Sequence, residues 1–198
     1  MDADFSVELG ADDESLEFPW VSPNGELRYY DIKSQPDLLL YISEANHYQE
    51  LGEFLESVNS PTSVFLTAKC DVWLDDELQQ SEEIYGARLK LGSYVDLLFA
   101  DPTASGPRFD FPCHEKRADR LVQLLGRAPQ ISVAVEFIIR RCYYHSADDP
   151  VCPGFYITFY CYGYGDDREE ARKRWGIGMN LVQNAMLQLS AEIRREST

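Results

Sequence analysis

The residues best placed to do chemistry lie near the end of the chain, where Tyr156, Thr158, Tyr160, Tyr162 and Tyr164 alternate with Phe155, Ile157, Phe159 and Cys161. This is the period-two signature of a strand with two different faces. On the strand expected to pair with it, Glu136, Arg140 and Tyr144 fall beside the tyrosines. A phenol has an apolar body and a polar tip, so a ladder of them with one guanidinium suits contact with a ligand or a partner protein. Tyrosine also packs well in half-buried strands, and coverage of this face by the terminal helix is the simpler expectation.

A second constellation runs along that terminal helix. Trp175, Met179, Val182, Met186, Leu189 and Ile193 are spaced 4, 3, 4, 3 and 4 residues apart, a heptad seam of about three heptads. The seam is expected to dock on the chain's own sheet, with a symmetric dimer contact as the alternative. Gly176 and Gly178 weaken a helix intrinsically, so a close backbone approach near Trp175 is expected.

Residues suited to catalysis or metal binding are sparse. His47, His114 and His145 are the histidines, and no GxSxG, P-loop, HExxH or GxGxxG pattern is present. Cys113 and His114 are adjacent, a poor arrangement for a nucleophile and its base, because neighbouring side chains seldom face each other. Cys142, His145 and Cys152 bracket one hairpin tip without a CxxC pair; small buried thiols are the expected reading, with no metal. Acidic clusters at both tips, Asp75, Asp76, Glu77, Glu82 and Glu83, then Asp148 and Asp149, lack calcium-loop spacing and read as solvated turns. No cofactor and no catalytic residue is assigned.

Charge is unevenly distributed. Residues 1–107 carry 22 acidic and 5 basic side chains, a balance of −17, while residues 108–198 carry 12 and 13, a balance of +1. A field of that sign repels phosphate backbones, so nucleic acid is not an expected partner, whereas a basic protein is. Five cysteines, an odd number, and an N-terminus without a basic and apolar leader point to a cytoplasm and reduced thiols. No apolar run approaches the roughly 20 residues of a membrane span, so no membrane association is expected.

The elements that must position these residues follow from periodicity and breakers. Residues 1–18 hold seven acids and no base and read as an acidic flexible tail. Strands are expected at 26–32 and 38–42, then a helix from Ser43 to Pro61, whose apolar spacing includes His47's neighbours Ala45, Tyr48 and Leu51. A hairpin follows at 63–75 and 83–91; Gly92 ends it, and another strand covers 93–100. In the first hairpin strand Val64, Leu66, Ala68, Cys70, Val72 and Leu74 share one face, with Phe65, Thr67, Lys69, Asp71 and Trp73 on the other. Residues 101–114 are irregular, 115–127 helical, 130–144 and 154–164 a second hairpin, and the last helix covers 166–195.

Shifted by 69 residues, the second hairpin repeats the hydrophobic phase of the first, with Val133, Val135, Phe137 and Ile139 matching Val64, Leu66, Ala68 and Cys70. The expected fold is therefore α+β: a mainly antiparallel sheet from two βαββ-like halves, 37–91 and 93–164, plus the long C-terminal helix, all in one domain over 19–198. In architecture alone this order resembles the duplicated units of GyrI-like effector-binding domains, whose halves enclose a small-molecule cleft, and the αβββαββα order of acidic type III secretion chaperones; neither lends a role to any residue here. The leading functional expectation is a non-enzymatic binding or adaptor protein that associates with itself and with another protein. A small-molecule sensor with a cleft between the halves is the alternative, and an enzyme is a third.

Overall fold

The computed structural model describes residues 1–101, 103, 106–146 and 150–196. Its centre is a six-stranded, mostly antiparallel sheet. β1 (Asp2–Glu8) and β2 (Ser15–Phe18) run parallel to β5 (Val133–Tyr144), one after the other along the same edge. β5 pairs antiparallel with β6 (Cys152–Gly165), β6 with β4 (Leu89–Phe99), and β4 with β3 (Phe65–Asp75), which forms the other edge.

The helices lie on one face. α1 (Ser43–His47) and α2 (Gln49–Val58) are divided at Tyr48, whose backbone is extended. α3 (Phe111–Leu125) and α4 (Arg168–Glu196) complete the layer. The main core joins Phe54, Leu121 and Trp175 from these helices to Val135, Phe137, Phe159 and Val95 of the sheet. A smaller core on the opposite face gathers Leu16, Phe18, Leu66, Leu98, Cys142, Tyr144 and Tyr156 under Trp20 and Tyr29.

Several expectations are corrected. Residues 1–18 do not form a loose tail: they supply β1 and β2, whose main-chain pairing with β5 needs few apolar side chains. No strand forms at 26–32, where only an isolated Val21–Arg28 bridge occurs. Residues 36–41 form a 3₁₀ turn, with Pro36 at its start and Leu40 and Tyr41 exposed. Residues 20–42 instead wrap around the β3 edge, from the small core (Trp20, Tyr29) to the main core (Tyr30, Ile32, Ile42). Lys33 holds this wrap by donating to the carbonyls of Ser60, Ser63 and Phe65 at 2.8, 2.9 and 2.9 Å. Trp20 Nε1 donates to Ala68 O at 2.9 Å.

Gly92 does not end a strand. β4 runs through it, and a Cβ there would lie 2.8 Å from the Trp73 ring, so Gly92 is the seat on which that indole rests. A β-bulge between Thr67 and Cys70 reverses the phase of β3: Leu66 packs in the small core, whereas Cys70 and Val72 pack against the main one. With the strand at 38–42 absent and β4 continuous, the element order ββααββαββα does not divide into two βαββ halves.

Candidate functional site

α4 does not cover the tyrosine face. Trp175, Met179, Val182, Met186 and Leu189 are buried in the main core, on the other side of the sheet, and Ile193 is partly buried there. Trp175 Nε1 donates to Ser93 Oγ at 2.8 Å. The approach is close at Gly178, where a Cβ would lie 2.7 Å from Cys161 Sγ, and at Gly163, where it would overlap the backbone of Ala171 and Trp175. The seam is thus filled within one chain, and the opposite face of the sheet is left without a helical layer.

On that open face, registered pairing builds rows across the strands. One row runs Asp71 (β3), Tyr94 (β4), Tyr160 (β6), Glu136 (β5) and Asp4 (β1). The next runs Trp73, Gly92, Tyr162, Ala134 and Asp2. In the first row aromatic rings therefore stand inside carboxylate edges; in the second, Trp73 and Tyr162 flank Gly92 and only the β1 edge, at Asp2, carries a carboxylate. Trp73 meets Tyr160 and Tyr162 edge-on at centroid distances of 6.5 and 6.1 Å, and those two rings stand parallel 6.1 Å apart. All four rings are half-buried, while Asp71, Asp2 and Asp4 are exposed. A groove of about 430 Å³ runs beside Tyr162 and Tyr164 and is walled by Asp2, Asp4 and Glu136.

Both ends of this strip are closed. At one end Tyr85 stacks on Tyr164 at 4.0 Å and donates to Asp2 Oδ2, while Tyr164 donates to Glu82. Lys90 pairs with Glu82 at 2.8 Å, and its Nζ lies 5.3 Å from the Tyr162 centroid. At the other end Arg140 pairs with Glu8 at 2.7 Å and Glu14 at 3.1 Å, with its guanidinium 5.8 Å from the Tyr160 centroid. Burial disfavours the charge on Arg140, but its bonds to Tyr160 and Glu8 outweigh this and raise its pKa. The fold itself thus sets a neutralised cation against each of the two parallel tyrosines.

Of the expected surface residues, Tyr160, Tyr162 and Glu136 meet on the open strip and Arg140 borders it. Tyr144 and Tyr156 are buried in the small core, where Tyr144 donates to Phe155 O at 2.8 Å, and Tyr164 is buried beneath Tyr85. Sequence reasoning missed Trp73, Tyr94, Asp71, Asp2 and Asp4. Trp73 and Asp71 shared one parity in the expected hairpin, but treating Gly92 as a break hid the register that brings them to Tyr94 and the β6 tyrosines.

Elsewhere the chemistry-bearing residues separate. Cys142 is buried, with its thiol pushed up to about 12 by desolvation, Cys152 Sγ contacts Pro150 O, and His145 bonds Glu17. His114 is buried against Phe99 and Phe155, its Nδ1 near Asp110 O, with its pKa lowered mainly by burial; Cys113 is only half-buried. His47 is exposed on α1. All five cysteines are free thiols. Among the described residues no group of three or more His, Cys, Asp or Glu could hold a metal ion, and no helix is long and apolar enough to cross a membrane. Asp148 and Asp149 lie outside the described residues, as does the side chain of Glu83. Comparisons with models of known protein families, with curated protein sequences and with solved structures find no match.

Proposed function

We propose that this chain is a non-enzymatic binding or adaptor protein that recruits a basic partner protein onto the open face of its sheet. The observation that carries this reading is the row Asp71, Tyr94, Tyr160, Glu136 and Asp4, an aromatic middle between two carboxylate edges. A lysine or arginine side chain can lay its stem and charge on such rings and reach a carboxylate at either end. Half-buried aromatic residues are also the type that dominates binding energy at protein interfaces. The cytoplasm is the proposed setting, supported by the odd number of cysteines.

Calorimetric titration with a defined lysine- and arginine-rich peptide tests the proposal. Trp73→Ala should weaken binding by roughly tenfold or more, the cost expected of an interface anchor. Asp71→Asn should do so less, and with a shallower salt dependence. Asp12→Asn, which removes a charge away from the strip, serves as the reference. If it weakens binding as much as Trp73→Ala does, attraction to net charge alone explains the peptide and the assigned surface is wrong.

A further inference from the structure

Where the wrap of residues 20–42 meets the β3 bulge, it forms a partly open pocket of about 120 Å³. The pocket is distinct from the open strip: Trp20, Tyr30 and Tyr41 supply aromatic walls, and Arg28, Lys69 and Glu44 supply its charges. Tyr30 and Tyr41 stack at 6.0 Å with 21° between their planes. Lys69 Nζ lies 5.0 Å from the Trp20 centroid, and the Arg28 guanidinium 5.7 Å from that of Tyr30.

Size and charge define an occupant. An enclosed apolar cavity of about 150 Å³ accepts a benzene ring, so a pocket of about 120 Å³ that opens to solvent suits one ring with its polar group at the mouth. Among the described residues neither Arg28 nor Lys69 makes an ion pair within 4 Å; Lys69 interacts at longer range with Asp96. In a chain with 34 acids to 18 lysines and arginines, two such cations at one pocket are a local reversal of the overall field. With Glu44 also present, the lining carries one net positive charge. The bulge creates this arrangement, because it turns Ala68 and Lys69 out of the β3–β4 ladder and brings them to the mouth.

We infer that this pocket is a binding site for a single-ring aromatic monocarboxylate, its ring between the Trp20 and Tyr30–Tyr41 walls and its carboxylate at Lys69 and Arg28. Charge-assisted bonds fix the anionic end, and the aromatic walls select a flat body. Such a ligand binds only the folded chain and therefore raises its apparent stability.

Thermal unfolding of the full chain, with sodium benzoate against sodium chloride at matched ionic strength, tests the site. A saturable rise in Tm at millimolar benzoate is expected, with no comparable rise for benzyl alcohol or benzylamine. Lys69→Gln should weaken the benzoate effect by roughly tenfold, the worth of one charge-assisted bond. Arg28→Gln, at an exposed position, should weaken it without disturbing the fold, and Trp73→Ala should leave it unchanged. Absence of a benzoate shift, an equal shift with benzyl alcohol, or an undiminished shift in both cation variants would each overturn the assignment.

Discussion

Asp96 is a carboxyl group held well above its ordinary range. It lies on β4 at the level of the bulge, accepts a hydrogen bond of 2.7 Å from Thr158 Oγ1, and is buried. Desolvation raises its pKa from 3.8 to about 7; Thr158, Lys69 and Arg140 pull it down and Glu14 pushes it further up. Between those two values the folded chain keeps a proton that the unfolded chain has released. Stability therefore falls as pH rises through this window, and above about pH 7 the fold contains a buried carboxylate anion. Asparagine retains an acceptor for Thr158 and cannot ionise. Asp96→Asn should thus be more stable than the wild type at pH 8, by about 1–3 kcal/mol, with the difference shrinking towards pH 4. Denaturant unfolding at the two pH values measures this, and an advantage of equal size at both would show that ionisation is not its cause.

At the scale of elements, the legible ones were those whose side chains are sorted by the core. β5, β6 and α3 each turn a continuous apolar face to the main core and leave a clear period, and the α4 seam announced a helix docked along its length. β1 and β2 left almost no trace because an edge strand is held through its main chain, and here its outward side chains are mostly acids; Leu16 and Phe18 enter the small core, and Ala3 and Phe5 are only partly buried against the main one. The leucines of 38–40 read as a buried strand, yet Leu38 and Leu39 are only partly buried and Leu40 is exposed, so composition misled where geometry was irregular. The tyrosine ladder and Glu136 were visible in sequence; Asp2, Asp4 and Asp71 were not, because register across five strands places them there. Glycines illustrate the same limit, since two in adjoining elements have opposite roles. Gly163→Ala would force a methyl group into the α4 backbone and should cost about 3 kcal/mol. Gly176→Ala meets only the flexible Glu50 side chain, at 3.1 Å, and should be neutral or stabilising by about 0.5–1 kcal/mol through helix propensity. Urea unfolding of the pair checks the contrast, and destabilisation of similar size in both would mean that close approach to β6 is not what fixes α4.

In the whole molecule, the imbalance of charge along the chain becomes a difference between faces. β1 and β3, both from the acidic first half, border the open strip with Asp2, Asp4, Asp71 and Asp75, while α3 and α4, from the near-neutral second half, form much of the helical layer. Two copies brought together through their open faces would set these carboxylates against each other, at a cost that grows as salt falls. The heptad seam offers no alternative, because Val182 is 0% exposed within the single chain. Sedimentation at low salt should therefore show a monomer. Val182→Glu, which could have been expected to split a dimer, should instead destabilise the fold by about 3–5 kcal/mol by burying an unpaired charge. A folded Val182→Glu monomer alongside a dimeric wild type would reverse this reading, since it would require α4 to leave its own sheet and pair with a second copy.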